Sequence, residues 1–264
     1  MTYQFIEYEA RGEVAYVTIN RPKSLNALTP ETNRELGEAF ADFRDSADLK
    51  VAILTGTGDR AFCAGDDLKY VAEHGKLNEP YPGFGEHVFG GITHDFVCWK
   101  PIIGAINGYA LGGGLELAMA CDILVAAEHA TFGLPEPKVG VVAGAGGPYR
   151  LPRQIPHKVA MGMLLTGRSI SADHAYQLGL VNEVVAAEEL ISVAGRWAAD
   201  IIEGAPLAVT ASKQMALSAL DAPFEVSFRS RPREYVKAMA SPDYLEGPRA
   251  FAEKRPPKWV SRPG

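Results

Sequence analysis

The run Gly108-Tyr109-Ala110-Leu111-Gly112-Gly113-Gly114-Leu115-Glu116-Leu117-Ala118-Met119-Ala120-Cys121-Asp122 decides how this chain reads. Three consecutive glycines feed into a helical pattern, and a carboxylate follows three residues after Gly113. Glycine lets a backbone approach a ligand with no Cβ in the way. The first turn of a helix has unpaired N–H groups and a partial positive charge. A turn of that kind, with an acid–base group one turn further on, suits chemistry that builds negative charge on a carbonyl oxygen.

The flanks repeat a strand–turn–helix pattern. Pro101 to Ile106 reads as a strand leading into the glycines, Asp122 to Ala127 as a strand leaving the helix, and Ala130 to Phe132 as a short further strand. Upstream, Val14 to Ile19 has β character and ends at Asn20-Arg21-Pro22. Thr29 caps a helix with Pro30 in its first turn and Leu36, Ala39, Phe40 and Phe43 as its apolar stripe. Val51 to Leu54 is a buried strand, and Asp66-Asp67 opens another helix. Residues 74 to 97 mix glycines with Tyr81, Phe84, Phe89 and Phe96, which makes this the expected mobile segment and leaves the aromatics as core or pocket wall. From Ile155 onward the pattern is mostly helical. The fold class is therefore α/β, with an α-helical final third.

Composition narrows the function classes. The 264 residues carry a net charge of -6 and are 47% hydrophobic. A pI near 5.6 argues against general nucleic-acid affinity, and the mean hydropathy of -0.04 is that of a globular chain. Cys63, Cys98 and Cys121 are far apart, form no Cys-x-x-Cys pair, and read as buried thiols in a reducing compartment. The start of the chain resembles neither a signal nor a transit peptide, and no apolar run spans a bilayer, so a cytoplasmic protein without membrane contact is expected. No residue pattern calls for a metal.

Three further features sharpen the chemistry. Gly65-Asp66 and Gly112-Gly113 both look like helix starts behind glycine turns, so the amides of Asp66 and Gly113 can form an oxyanion hole. Glu136 follows Phe132-Gly133-Leu134-Pro135, and Val139 to Gly147 adds another close-approach backbone. Two carboxylates around one water split their acidities, one serving as acid and one as base. That pairing suits addition of water to a double bond conjugated with a carbonyl. Taken singly, a Glu in an apolar helix or a glycine triplet more often serves packing.

The ordered motifs resemble the crotonase, or enoyl-CoA hydratase, superfamily. The resemblance runs from Asn20-Arg21-Pro22-Lys23-Ser24-Leu25-Asn26-Ala27-Leu28 through Ala61-Phe62-Cys63-Ala64-Gly65-Asp66-Asp67-Leu68, Gly108 to Ala118 and Phe132 to Glu136. It continues through Leu165 to Ala172 and Gly179 to Val184 and ends in Glu246 to Arg255. The ending and Leu134-Pro135-Glu136 are similar to carnitinyl-CoA dehydratase-like members. The resemblance implies a crotonase-type spiral of ββα units over residues 1–198. It also implies a helical region over 199–264 that makes a homotrimer, or a hexamer as a dimer of trimers, and completes the CoA site.

The roles implied are residue by residue. Asp66 and Gly113 bind the thioester oxygen, Glu116 and Glu136 are the acid–base pair, and Gly144 is the backbone beside the water. Lys23, Ser24, Leu25, Ala64, Asp67, Leu68 and Lys69 contact the acyl-CoA, and Phe251 and Lys254 reach a neighbouring subunit's CoA. The implied activity is hydration or dehydration of an acyl-CoA thioester with no cofactor, coenzyme A being part of the substrate. Isomerisation or another crotonase-type acyl-CoA reaction, and a non-catalytic acyl-CoA or RNA-binding scaffold on the same fold, are the alternatives.

Two departures from the family pattern stand out. Val142-Ala143-Gly144 replaces Ile-Pro-Gly, and Pro232 should break the helix pattern of Phe224 to Met239. Other signals are weaker. Gly56-Thr57-Gly58-Asp59-Arg60-Ala61 is a loose dinucleotide fingerprint with no helix directly behind it. His87 and His94 read as solvent-exposed loop residues. Arg229, Arg231, Arg233 and Lys237 read as a solvated face, and Cys63 as a packing thiol.

Overall fold

The computed structural model describes residues 3–75 and 88–263. Tyr81, Phe84 and His87, and most of the segment expected to be mobile, lie outside the described residues.

Ten strands are described: β1 (Ile6–Arg11), β2 (Val14–Ile19), β3 (Val51–Gly56), β4 (Ala61–Cys63), β5 (Ile102–Ile106), β6 (Tyr109–Leu111), β7 (Ile123–Ala127), β8 (Thr131–Gly133), β9 (Ile170–Ser171) and β10 (Glu183–Val185). They form two sheets, ordered β1-β2-β3-β5-β7-β10 and β4-β6-β8-β9. From β3 to β8 the chain places one strand in the first sheet and the next in the second. All neighbours among these six strands are parallel. The repeated step is the spiral of ββα units.

Eleven α-helices accompany the strands among the described residues: α1 (Pro30–Asp45), α2 (Leu68–His74), α3 (Gly113–Ala120), α4 (Gly147–Gln154), α5 (His157–Thr166), α6 (Ala172–Gln177), α7 (Leu190–Ile202), α8 (Pro206–Ser218), α9 (Phe224–Arg229), α10 (Arg233–Met239) and α11 (Asp243–Ala252). Thr29 Oγ1 accepts the Thr32 amide at the start of α1, as its sequence predicts. The proline at 232 splits its segment as expected: α9 stops at Arg229, and Pro232 is the N-cap of α10. No helix among the described residues is long and apolar enough to cross a membrane.

The parallel strands are apolar on both faces because both faces are covered. Along β3, Ala52 and Leu54 point into the main core with Phe40, Phe62, Leu115 and Phe132. Val51 and Ile53 point the other way, onto Leu190, Val193, Ala194 and Ala198 of α7. That is the two-residue period of a strand. Cys63, Cys98 and Cys121 are free and buried, consistent with packing roles.

Side-chain amides tie the sheets together. Asn107, between β5 and β6, donates to the carbonyls of Gly56, Gly58 and Ala61 at 2.7, 2.7 and 3.2 Å. It accepts from the Gly56 amide at 3.2 Å. Asn26, fully buried, donates to Ala61 at 2.7 Å. The strand leading to Gly65 is thereby held from two sides. Further on, Lys213 of α8 pairs with Asp122 at 2.7 Å and joins the helical region to the start of β7.

Candidate active site

The Gly65–Asp66 turn packs directly on the start of α3. A Cβ at Gly65 would lie 2.9 Å from the Gly113 nitrogen and 3.0 Å from the Leu111 oxygen, and Gly65 has φ +89°. Only glycine accepts both that φ and that approach. Asp66 forms a parallel bridge with Leu28. Leu28 bonds to both neighbours of Asp66, donating to Gly65 O at 2.8 Å and accepting from the Asp67 amide at 2.9 Å. In a parallel ladder that leaves the Asp66 N–H facing away from Leu28. Gly113 begins α3, where the leading amides have no intrahelical acceptor.

Two carboxylates converge on the same turn. Glu116 lies in the first turn of α3 and is only 2% exposed. Its Oε1 accepts the Gly147 amide, the first residue of α4, at 2.7 Å. Glu136 begins a short 3₁₀ turn, Glu136–Val139, behind Pro135 and is 8% exposed. Its Oε1 would lie 3.2 Å from a Cβ at Gly112, the residue before α3, where φ is +57°. Its Oε2 is buried with no hydrogen-bond partner.

Burial dominates the acidity of both. It pushes the Glu116 carboxyl up to about 7; the Gly147 amide opposes this, and the Glu136 and Asp66 charges reinforce it. Glu136 is raised as well, by burial and by Asp66. The carboxyl of Asp66 is also raised by burial, to about 6. Three carboxyl groups, each made a weaker acid by burial, surround the start of one helix, the pattern of a candidate acid–base site.

Arg150, on α4, was not singled out by its sequence. Its guanidinium donates to the carbonyls of Ala145, at 3.2 Å, and Thr93. It clamps the loop that delivers the Gly147 amide to Glu116. A guanidinium three residues past the glycine at the start of a helix is the one signal that could have found it.

The remaining expected site residues divide. Lys23 and Ser24 lie in a 3₁₀ turn that Leu25 caps, beside the strand leading to Gly65, with the Ala64 amide on Leu25 O at 3.1 Å. Leu68 and Lys69 are exposed on α2. Asp67 accepts the Tyr70 amide as the N-cap of α2 and pairs with Arg21 at 2.9 Å. Gly144 lies in the exposed turn three residues before Gly147. Phe251 is 86% exposed on α11, and Lys254 lies just beyond it. His94 is exposed, as are Arg229, Arg231 and Arg233. A cleft of about 510 Å³ lined by Glu128, Asp173 and Glu183 includes none of the site residues.

The family model for enoyl-CoA hydratase/isomerase matches residues 9–262. The chain belongs to the enoyl-CoA hydratase/isomerase family. Its resemblance to carnitinyl-CoA dehydratase-like members also holds. It is 44% identical over 255 residues to the carnitinyl-CoA dehydratase of Salmonella typhi, covering 95% of this chain and 96% of that one. Among solved structures, the enoyl-CoA hydratase of Mycobacterium tuberculosis H37Rv matches with a TM-score of 0.89 at 39% identity, over 97% of this chain and 98% of that one. The enoyl-CoA hydratase of Bacillus anthracis matches with 0.89 at 35% identity, over 97% and 99%. Membership in the enoyl-CoA hydratase/isomerase family accounts for the alternating two-sheet spiral.

Proposed function

We propose that this enzyme is a hydro-lyase that adds water to, or removes it from, the 2,3 bond of an acyl-CoA thioester. The observation that supports this most is the pair of buried, raised carboxyls at the start of α3, Glu116 anchored by an amide and Glu136 with one oxygen unmet. In hydration, Glu116 takes a proton from water as the hydroxyl bonds to the β-carbon. The electron pair moves to the thioester oxygen, and the amides of Asp66 and Gly113 hold the resulting enolate. Glu136 then delivers its proton to the α-carbon. The Gly144 backbone holds the water, and Lys23, Ser24, Leu25, Ala64, Asp67, Leu68 and Lys69 line the path of the thioester and its CoA. Coenzyme A enters with the substrate, so the reaction needs no separate cofactor.

We also assign residues 199–264 to contacts between copies, as a trimer or hexamer, in which Phe251 and Lys254 reach a neighbour's CoA. Phe224 and Phe228, 74% and 78% exposed, support this. The three buried thiols support a cytoplasmic location. Glu136→Gln should cut hydration of but-2-enoyl-CoA by about a hundredfold or more, measured as loss of enoyl thioester absorbance. Retained CoA-ester binding and ¹⁸O uptake from solvent by the wild type complete the test. Full activity in the variant refutes the assignment, and turnover without ¹⁸O uptake points to isomerisation.

A further inference from the structure

Residues 21–28 and 64–67 fold as one hydrogen-bonded unit. Leu25 O accepts the Ala64 amide at 3.1 Å, the Leu28 amide donates to Gly65 O at 2.8 Å, and Leu28 O accepts the Asp67 amide at 2.9 Å. Asp66, the assigned enolate donor, sits between the last two of these bonds. The first stretch carries Lys23 and Ser24, which are exposed and open to a ligand. The segment assigned to CoA therefore also frames the amide assigned to the thioester oxygen.

Arg21 closes this unit. Its backbone carbonyl accepts the Ser24 and Asn26 amides at 2.9 and 3.0 Å, and its own amide donates to Asn26 Oδ1 at 3.0 Å. Its guanidinium donates to Ala27 O, at the exit of the turn, and to Asp67 Oδ2 at 2.9 Å. Asp67 Oδ1 accepts the Tyr70 amide at the start of α2. The ion pair is largely shielded from solvent. Burial alone would weaken Asp67 as an acid, and the Arg21 guanidinium and the Tyr70 amide more than reverse that. Leu25 and Asn26 have φ of 51° and 54°. A leucine in the left-handed region is strained, so the turn keeps its shape through the bonds around it.

We infer that Arg21 is a positioning residue that couples the CoA turn to the oxyanion hole. Occupation of residues 23–25 sets the Asp66 amide through the Arg21–Asp67 pair. Contacts far from the double bond then raise the rate of the chemical step. The inference rests on the hydro-lyase reading above and on its assignment of that turn to CoA.

The test compares but-2-enoyl-CoA with the but-2-enoyl thioester of N-acetylcysteamine, which has the same reacting end and no nucleotide. In the wild type kcat should be higher for the CoA thioester by about tenfold or more. Arg21→Met should bring the two kcat values to within about twofold of each other, and Arg21→Lys, which keeps a charge for Asp67, should restore part of the gap. Equal losses on both thioesters would make Arg21 a brace for the fold alone and overturn the inference. A rise in KM for the CoA thioester with the kcat gap intact would overturn it too. Infrared spectra of bound butanoyl thioesters, labelled with ¹³C at the carbonyl, read the amide contact without turnover. The carbonyl stretch should lie lower for the CoA thioester in the wild type, and Arg21→Met should remove the difference. A wild type that hydrates neither thioester yet shows that difference sinks the hydro-lyase reading and supports the coupling. Hydration of both with equal kcat does the reverse.

Discussion

Glu116 and Glu136 are the same chemical group in two different mountings. Glu116 projects from a regular helix, and the amide of Gly147 meets one of its oxygens. Glu136 projects from a single 3₁₀ turn behind a proline and keeps one oxygen unmet. An amide donor stabilises the ionised form, while an unmet buried oxygen disfavours it. In the proposed mechanism Glu116 accepts the proton and Glu136 donates it, and burial weakens both as acids. The pair still titrates as a unit.

The largest test of that comparison is to remove the groups. Glu116→Gln and Glu136→Gln should each lower kcat by about a hundredfold to ten-thousandfold. The double variant should lose little beyond the worse single, because the two act in one step. Strictly multiplicative losses would show that they work independently. Next in size is Gly65→Ala. Its methyl would stand 2.9 Å from the Gly113 nitrogen, on a backbone with φ +89°. Loss of that donor should lower kcat by about a hundredfold or more with both glutamates intact. Near-normal turnover there would place the oxyanion elsewhere.

Arg150→Met comes third. Releasing the Ala145 and Thr93 carbonyls loosens the loop behind the Gly147 amide, and Glu116 also loses the positive charge it interacts with on Arg150. The acid limb of the kcat profile, expected near pH 7 in the wild type from Glu116, should move upward in this variant and return with Arg150→Lys. An unmoved limb would confine Arg150 to packing.

The smallest effect is on stability. Burial makes Glu116 a weaker acid in the folded state, so its favourable contribution is complete below about pH 4.5 and is lost as pH climbs through about 7. Glu116→Gln removes the loss. The variant should therefore gain on the wild type between pH 5 and pH 8, by about 3 kcal/mol at most. Melting temperatures at the two pH values measure this, and a constant difference would contradict it.

Much of the site was legible because it is encoded by local chemistry. Gly112 to Glu116 announces a helix start with a carboxylate, and Pro135-Glu136 a rigid turn with another. The parallel strands β3, β5 and β7 were legible as short apolar runs. The split at Pro232 followed from the ring alone. The strands β4 and β6 were not: three residues are too few to show alternation, and Ala61–Cys63 read as a lead into a helix. Nor could spacing reveal that Gly147 would donate to Glu116, since that bond spans 31 residues and depends on how α4 returns to α3. The clamp of Arg150 on the Ala145 and Thr93 carbonyls depends on the same folded path.

The Asn107 amide has an implication for ageing. It precedes Gly108, and its nitrogen serves three carbonyl oxygens that fix the strand leading to the Gly65–Asp66 turn. Hydrolysis of that side chain during prolonged alkaline storage would exchange a shared donor for an anion among acceptors. The damage would register first as turnover lost through a displaced Gly65–Asp66 segment, before any gross unfolding.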